Sequence, residues 1–149
     1  MSQTITINRE LVKSQFENRV YKYANAVDSG QNPKAVRNIK SDVVDDTTDA
    51  IVVDTAFDRR LKEVLGIMRD FGAAASTSGD NVSISFDITS RWAGTTTTLQ
   101  TLVSGYILDG IMADWCNVVA PTEAAVYTAK MTQGIIDIKQ ELYTKKAPQ

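Results

Sequence analysis

Carboxylates are the side chains in this sequence that could most readily do chemistry. Asp109 and Asp114 lie inside an apolar segment, and Glu123 and Asp137 follow it. Two carboxylates can share general acid and base work only when both face one cleft. Asp109 and Asp114 are five residues apart, and on a helix that spacing turns them to different sides. We therefore expect solvated or capping carboxylates and predict no catalytic residue.

A dense acidic run precedes the second predicted helix. Its members are Asp42, Asp45, Asp46, Asp49 and Asp54. Carboxylates bind hard cations, but a calcium loop alternates its acids around a glycine and ends in a glutamate. That pattern is absent here, whereas acids at a helix start accept orphan N–H groups and complement the helix dipole. The sequence thus predicts helix capping, no metal site and no cofactor.

Histidine is absent from the sequence, and cysteine occurs once, as Cys116. These counts exclude Ser/His and Cys/His nucleophile pairs and the usual zinc ligand sets. A single cysteine also excludes an internal disulfide, which fits a reducing compartment best. Because Cys116 lies near the end of an apolar helix and not at a helix start, we expect a packing residue and not a reactive thiol.

The charge balance limits the partners. Charged residues make up 23% of the chain and the net charge is -2, which is not the basic surplus of a nucleic-acid binder. Lys34, Arg37 and Lys40 form a basic patch that is either a phosphate contact or an ordinary solvated loop. The N-terminus has no basic segment followed by an apolar run, so we expect no signal peptide. Segment 99–119 is about long enough to cross a bilayer, but its two aspartates predict a core helix of a soluble protein.

The clearest predicted strand covers residues 82–89, where apolar and polar side chains alternate. A lone strand leaves backbone groups unpaired, so this one needs a partner. Residues 4–7, residues 51–53 or a strand of another subunit could supply it. The small polar segment 73–81 before the strand is predicted to be a turn.

Apolar spacing predicts four helices around this strand. They cover 9–27, a segment that begins near Thr48 or after Asp54 and ends before Gly72, 99–119, and 121–142. Hydroxyl groups at 95–98 can cap the third helix, and Pro121 suits the first position of the fourth. Gly105 and Gly110 in the third helix predict the close approach of a second backbone.

Together these elements predict a mainly α fold. It is a four-helix bundle-like domain with one strand, or a small β-hairpin or sheet, inserted between helices 2 and 3, and with extended termini. At 149 residues, 43% of them hydrophobic, one domain is expected over 1–149. Within it we distinguish an N-terminal arm (1–8), a helical core (9–142) and a C-terminal tail (143–149).

Three stretches resemble a known family. They are the Ser-Arg-Trp turn after the strand (88–92), the apolar helix from Tyr106 to Trp115, and 124–148 with its Lys-Lys-x-Pro end. In these the chain resembles the small head-tail connector (portal adaptor or neck) proteins of tailed bacteriophages. It is most similar to small proteins of Bacteroides-type phages and prophages. The likeness covers about residues 45–148, and its motifs are packing patterns.

The resemblance implies a non-enzymatic virion protein that forms a homo-oligomeric ring at the head-tail junction. The portal would lie on one side and tail or neck proteins on the other, and DNA would pass through the channel without specific binding. The protein would be made in the bacterial cytoplasm and have no membrane partner. The expected interaction residues lie at the two ends of the chain: Ile5, Ile7, Tyr143, Lys145, Lys146 and Pro148.

Three other functions stay open at this point. The chain could have another tail or assembly role in the same particle. It could be a small enzyme that uses Asp109 and Asp114 with Glu123 or Asp137. It could also be a small regulatory or nucleic-acid-binding helical domain, with basic groups such as Arg59, Arg60 and Lys62, although no helix-turn-helix signature joins them.

Overall fold

The computed structural model describes residues 1–28 and 48–147, and side chains within 1–23 and 53–147. This part of the chain is mainly α, with a small antiparallel sheet of three strands. A 3₁₀ turn at Arg69–Phe71 joins α2 to β2. The elements in chain order are β1 (Ser2–Asn8), α1 (Arg9–Asp28), α2 (Thr48–Ile67), β2 (Ala74–Ser78), β3 (Asn81–Asp87), α3 (Thr96–Val119) and α4 (Pro121–Tyr143).

Helix α3 is the element on which the others pack. It begins at the cap Thr95, whose hydroxyl oxygen accepts the N–H of Thr98 at 3.1 Å, as the hydroxyl-rich start predicts. Its buried side chains are distributed around its whole circumference, from Leu99 to Cys116. Helices α1, α2 and α4 and strand β1 all contact α3, and the three helices pack on it more than on one another.

The sheet has the strand order β1-β3-β2, so β3 is central. Val82, Ile84 and Phe86 of β3 are buried, which confirms a strand with one face against the helices. Among the expected pairing partners of β3, segment 4–7 is correct, because it belongs to β1 and its Ile5 lies opposite Ile84 of β3. Segment 51–53 lies inside α2, which begins at Thr48, so of the two alternatives for this segment the helix is correct and the strand is not.

The prediction of a simple turn over 73–81 is also wrong, because this segment contains β2 and the turn of a hairpin. Gly79 and Asp80 form the two-residue turn, and Gly79 has the positive φ of 60° that favours glycine. The Gly-Asp pair before an alternating strand was the available signal. All five side chains of β2 are exposed, so no apolar pattern marks the strand.

Residues 1–8 are not an arm. They form β1, and the Met1 ammonium group donates to the Ile88 carbonyl oxygen at 3.0 Å. Ile5 and Ile7 are each only 1% exposed, because β1 turns them toward the helices. None of the helices in the described ranges combines the length and the hydropathy that a membrane crossing requires.

Replacing Ile5 with alanine should lower the free energy of unfolding by about 2–5 kcal/mol, because the change leaves a cavity in the core. Thr4→Ala, at an exposed position of the same strand, should change it by no more than about 0.5 kcal/mol. Urea denaturation followed by circular dichroism measures both. An unchanged stability for Ile5→Ala would contradict the packing of β1 and would favour the N-terminal arm that the sequence predicted.

Candidate functional site

The expected interaction residues at the C-terminus lie where α4 ends. Tyr143 is the last residue of α4 and is 54% exposed. Its ring packs edge-on against Phe71 at 5.2 Å, and its hydroxyl donates to Asp70 at 3.4 Å. Lys145 and Lys146 are exposed.

The other expected interaction residues are either buried or outside the described part of the chain. Ile5 and Ile7 are core residues, so a partner could reach them only by opening the sheet. Pro148 lies outside the described residues.

The tail up to Lys146 is bound to its own chain and does not extend freely. The Ala93 N–H donates to the Thr144 carbonyl oxygen at 2.9 Å, and the Lys146 N–H donates to the Arg91 carbonyl oxygen at 2.7 Å. The Arg91 guanidinium returns a bond to the Lys146 carbonyl oxygen at 2.9 Å. The prediction of an extended tail from residue 143 is therefore wrong for 143–146.

Trp92 fastens the same junction from the side. Its indole N–H donates to the Glu141 carbonyl oxygen at 2.8 Å, and its ring meets Phe86 edge-on at 6.1 Å. A Cβ at Gly94 would lie 2.6 Å from the indole nitrogen and 2.7 Å from a Glu141 carboxylate oxygen, so the turn has room only for glycine. The Ser-Arg-Trp motif thus joins the end of β3 to the end of α4.

Ending the chain at Tyr143 should reduce the free energy of unfolding by about 1–3 kcal/mol, because the three hydrogen bonds to 91–93 are lost. A chain that ends at Ala147 keeps these bonds and should match the full-length protein. Thermal denaturation of the two truncated chains makes the comparison. Equal stability of both would contradict a bound tail.

A polar network crosses from α2 to α3. The Arg60 guanidinium bonds Glu63 at 2.8 Å and Asp114 at 2.6 Å, and Arg59 lies 3.5 Å from Asp114. The Tyr106 hydroxyl donates to Glu63 at 2.5 Å. Burial first, and then the bond to the Glu63 carboxylate, raises the pKa of Tyr106.

Arg60 reaches this network because α3 has no side chain at Gly110. Burial lowers the pKa of Arg60, but the hydrogen bond to Glu63 and the charge of Asp114 outweigh it and leave the pKa raised. A Cβ at Gly110 would lie 2.5 Å from Cδ and Nε of Arg60. The expected second backbone at Gly110 is thus a side chain, and Gly105 has nothing within 4 Å of an added Cβ.

Gly110→Ala should lower the free energy of unfolding by about 1–3 kcal/mol, because it displaces Arg60 from two carboxylates and this loss exceeds the helix-propensity gain. Gly105→Ala, in open space on the same helix, should raise it by up to about 1 kcal/mol. Urea denaturation of the pair measures the difference. A stabilised Gly110→Ala protein would show that Arg60 does not depend on this glycine.

The carboxylates of α3 bind different helices. Asp109 pairs with Arg19 of α1 at 3.0 Å, whereas Asp114 pairs with the arginines of α2. Each aspartate is thus already neutralised on its own side of α3.

Within the described ranges, no group of three or more His, Cys, Asp or Glu side chains could hold a metal ion. Burial, followed by the charge of Glu123, raises the pKa of the Cys116 thiol to about 11.

A groove with a volume of about 810 Å³ lies between α2 and α4. Its floor carries Tyr106, Glu63 and Arg60, which are bonded to one another, and its walls include Met131 and Ile135. Most polar atoms of the floor bond to one another, but the buried Nε of Arg60 has no hydrogen-bond partner among the described residues. Asp70 and Lys139 also line the groove, so it combines apolar walls with charged groups.

The outward side of α4 is uncharged along its whole length. At about 100° per residue, nine exposed residues share roughly a third of the helix circumference. Val126 is 48% exposed and Ile136 is 44% exposed. We name this surface the α4 outer face; it consists of Thr122, Ala125, Val126, Ala129, Thr132, Gln133, Ile136, Gln140 and Tyr143.

A second surface, with a single charged residue in its lining, lies on another side of α3, between β1 and α1. This α1–β1 groove has a volume of about 390 Å³ and is lined mainly by Thr6, Leu11, Gln15, Gln100 and Ser104. Leu11 is 58% exposed. The Gln100 side-chain oxygen accepts the outward N–H of Thr6 at 3.0 Å. The Gln100 side chain thus occupies this position on the outer edge of β1. The only charged group in the lining is an arginine that is paired with an aspartate of α3.

No protein-family model, curated protein or solved structure matches this chain.

Proposed function

We propose that this chain is a structural subunit of a ring: a head-tail connector that joins the portal to the tail in a tailed phage. The α4 outer face is the observation that carries the proposal. A solvated helix normally carries charged side chains on the face turned to water, whereas this one keeps an uncharged face over 23 residues, about 35 Å. Such a face suits packing against another protein surface.

A ring needs two different surfaces on each subunit, because a head-to-tail contact joins unlike patches. We propose that the α4 outer face of one copy packs in the α1–β1 groove of the next. Ile136 would be the apolar contact on the helix, and Leu11 the apolar contact in the groove. Both surfaces are uncharged or internally neutralised, so neither loses an ionic solvation shell on contact.

This contact replaces strand addition to β3 as the route of assembly. Both edges of β3 are already paired, with β1 and with β2, so it has no backbone groups to offer a neighbour. Packing of a helix in a groove uses side-chain shape instead. In this proposal the fold is a helical bundle with a β-hairpin inserted between helices 2 and 3.

The charge distribution supports a passage for DNA that does not bind it. The net charge is -2. Arg59 and Arg60, the two arginines of α2 that could have contacted phosphate, pair with carboxylates. Because these arginines are paired, a nucleic-acid-binding role for α2 is less well supported than the role of a ring subunit. Another tail or assembly role in the same virion would use the same two surfaces.

The variants Ile136→Glu and Leu11→Glu test the head-to-tail contact. Each places a charge in one of the two surfaces, so each protein alone should be monomeric by size-exclusion chromatography with light scattering. Mixed together, they retain one intact helix face and one intact groove. The mixture should therefore form heterodimers and no larger rings, while the unchanged chain forms a ring visible in negative stain.

Val118→Glu is the matched control, because Val118 is 84% exposed and lies outside both surfaces. It should assemble like the unchanged chain. A ring that survives Ile136→Glu, or a chain that stays monomeric at all concentrations and never joins particles, would contradict the proposal.

A further inference from the structure

The outer edge of β2 carries backbone groups that point away from the sheet. Met1 and Ile88 exchange two hydrogen bonds, of 3.0 and 2.8 Å, so even-numbered residues of β3 direct their backbone polar groups to β1. The odd-numbered residues of β3 therefore bond to β2. In the β2–β3 register, Ala75 and Thr77 lie opposite even-numbered residues, and their N–H and C=O groups face outward.

The two edges of the sheet differ in how they are protected. On β1, the side chain of Gln100 accepts the outward N–H of Thr6. On β2, all five residues are exposed, and none carries a charge. Edge strands are normally blocked by charges, proline or a covering element, and within the described ranges β2 has none of these.

A shallow groove of about 350 Å³ borders the start of this open edge. Lys62, Leu65, Gly66 and Arg69 line it from the α2 side, and Ala73, the residue before β2, lines it from the sheet side. Lys62 and Arg69 are exposed, and among the side chains of 1–23 and 53–147 neither has an ion-pair partner. The groove thus presents two unpaired cations beside a partly buried leucine.

From this juxtaposition we propose that β2 receives an extended, acidic segment of a partner protein as a fourth strand of the sheet. The outward groups of Ala75 and Thr77 bond its backbone, and the small side chains of β2 allow its close approach. Carboxylates of the added strand meet Lys62 and Arg69, while an apolar side chain rests on Leu65. The charge of the groove selects an acidic strand over a basic one.

A pair of labelled peptides tests this proposal by fluorescence anisotropy with the full chain. One is the blocked peptide Thr-Asp-Val-Thr-Val-Thr-Val-Asp-Thr, and the other has lysine in place of both aspartates. The acidic peptide should bind at least about tenfold more tightly than the basic one. The double variant Lys62→Glu with Arg69→Glu should reverse that preference.

Thr77→Pro tests the backbone contact. The N–H of Thr77 does not bond β3, so proline there removes a donor only from the added strand. Binding of the acidic peptide should fall by at least about tenfold while the circular dichroism spectrum is unchanged. The charge-reversed variant keeps the test decisive if the proline variant does not fold.

Three results would overturn the proposal: no binding of the acidic peptide, equal binding of both peptides, or binding that neither variant alters. A change in the solution mass of the chain caused by Thr77→Pro would assign the edge to a second copy instead. The peptide measurement tests binding at β2 alone, so a negative result would not contradict the proposed contact between α4 and the α1–β1 groove. Loss of ring formation likewise leaves peptide binding intact.

Discussion

The burial of the middle of α3, residues 106–116, on all sides is the constraint on which the rest of this structure depends. The apolar residues of this segment cover the whole circumference of the helix, so they require partners in every direction. Helices α1, α2 and α4 and strand β1 meet that requirement and shield one another only weakly. The faces that these outer elements turn away from α3 are therefore the surfaces available to other molecules.

Polar groups inside this arrangement are used for packing between helices. Arg60 passes over α3 at Gly110 to reach Asp114, and Arg19 reaches Asp109 from another helix. Each aspartate that lies in the apolar helix is thereby neutralised where it stands, which avoids the cost of a buried unpaired charge. The acids of α3 act as attachment points for α1 and α2. No residue of the α4 outer face takes part in these ion pairs.

Local patterns in the sequence were sufficient for the helices, for β3 and for the proline start of α4, because burial of one face leaves a period in the sequence. They were insufficient for β2, whose side chains are all exposed, and for Ile5, whose burial depends on pairing with a strand far away in the chain. The uncharged α4 outer face is readable from sequence once the buried face is known. The passage of Arg60 at Gly110 is not, because it depends on how two helices meet.

Cross-linking of a chain that carries both Leu11→Cys and Ile136→Cys tests most directly whether these surfaces meet between copies. Cys116 is buried, and the pKa of its thiol is raised to about 11, so a short bis-maleimide reacts at the two introduced thiols. The account predicts a ladder of covalent species that extends beyond the dimer, because each copy joins two neighbours. Monomers alone, or a ladder that stops at the dimer, would contradict a head-to-tail ring.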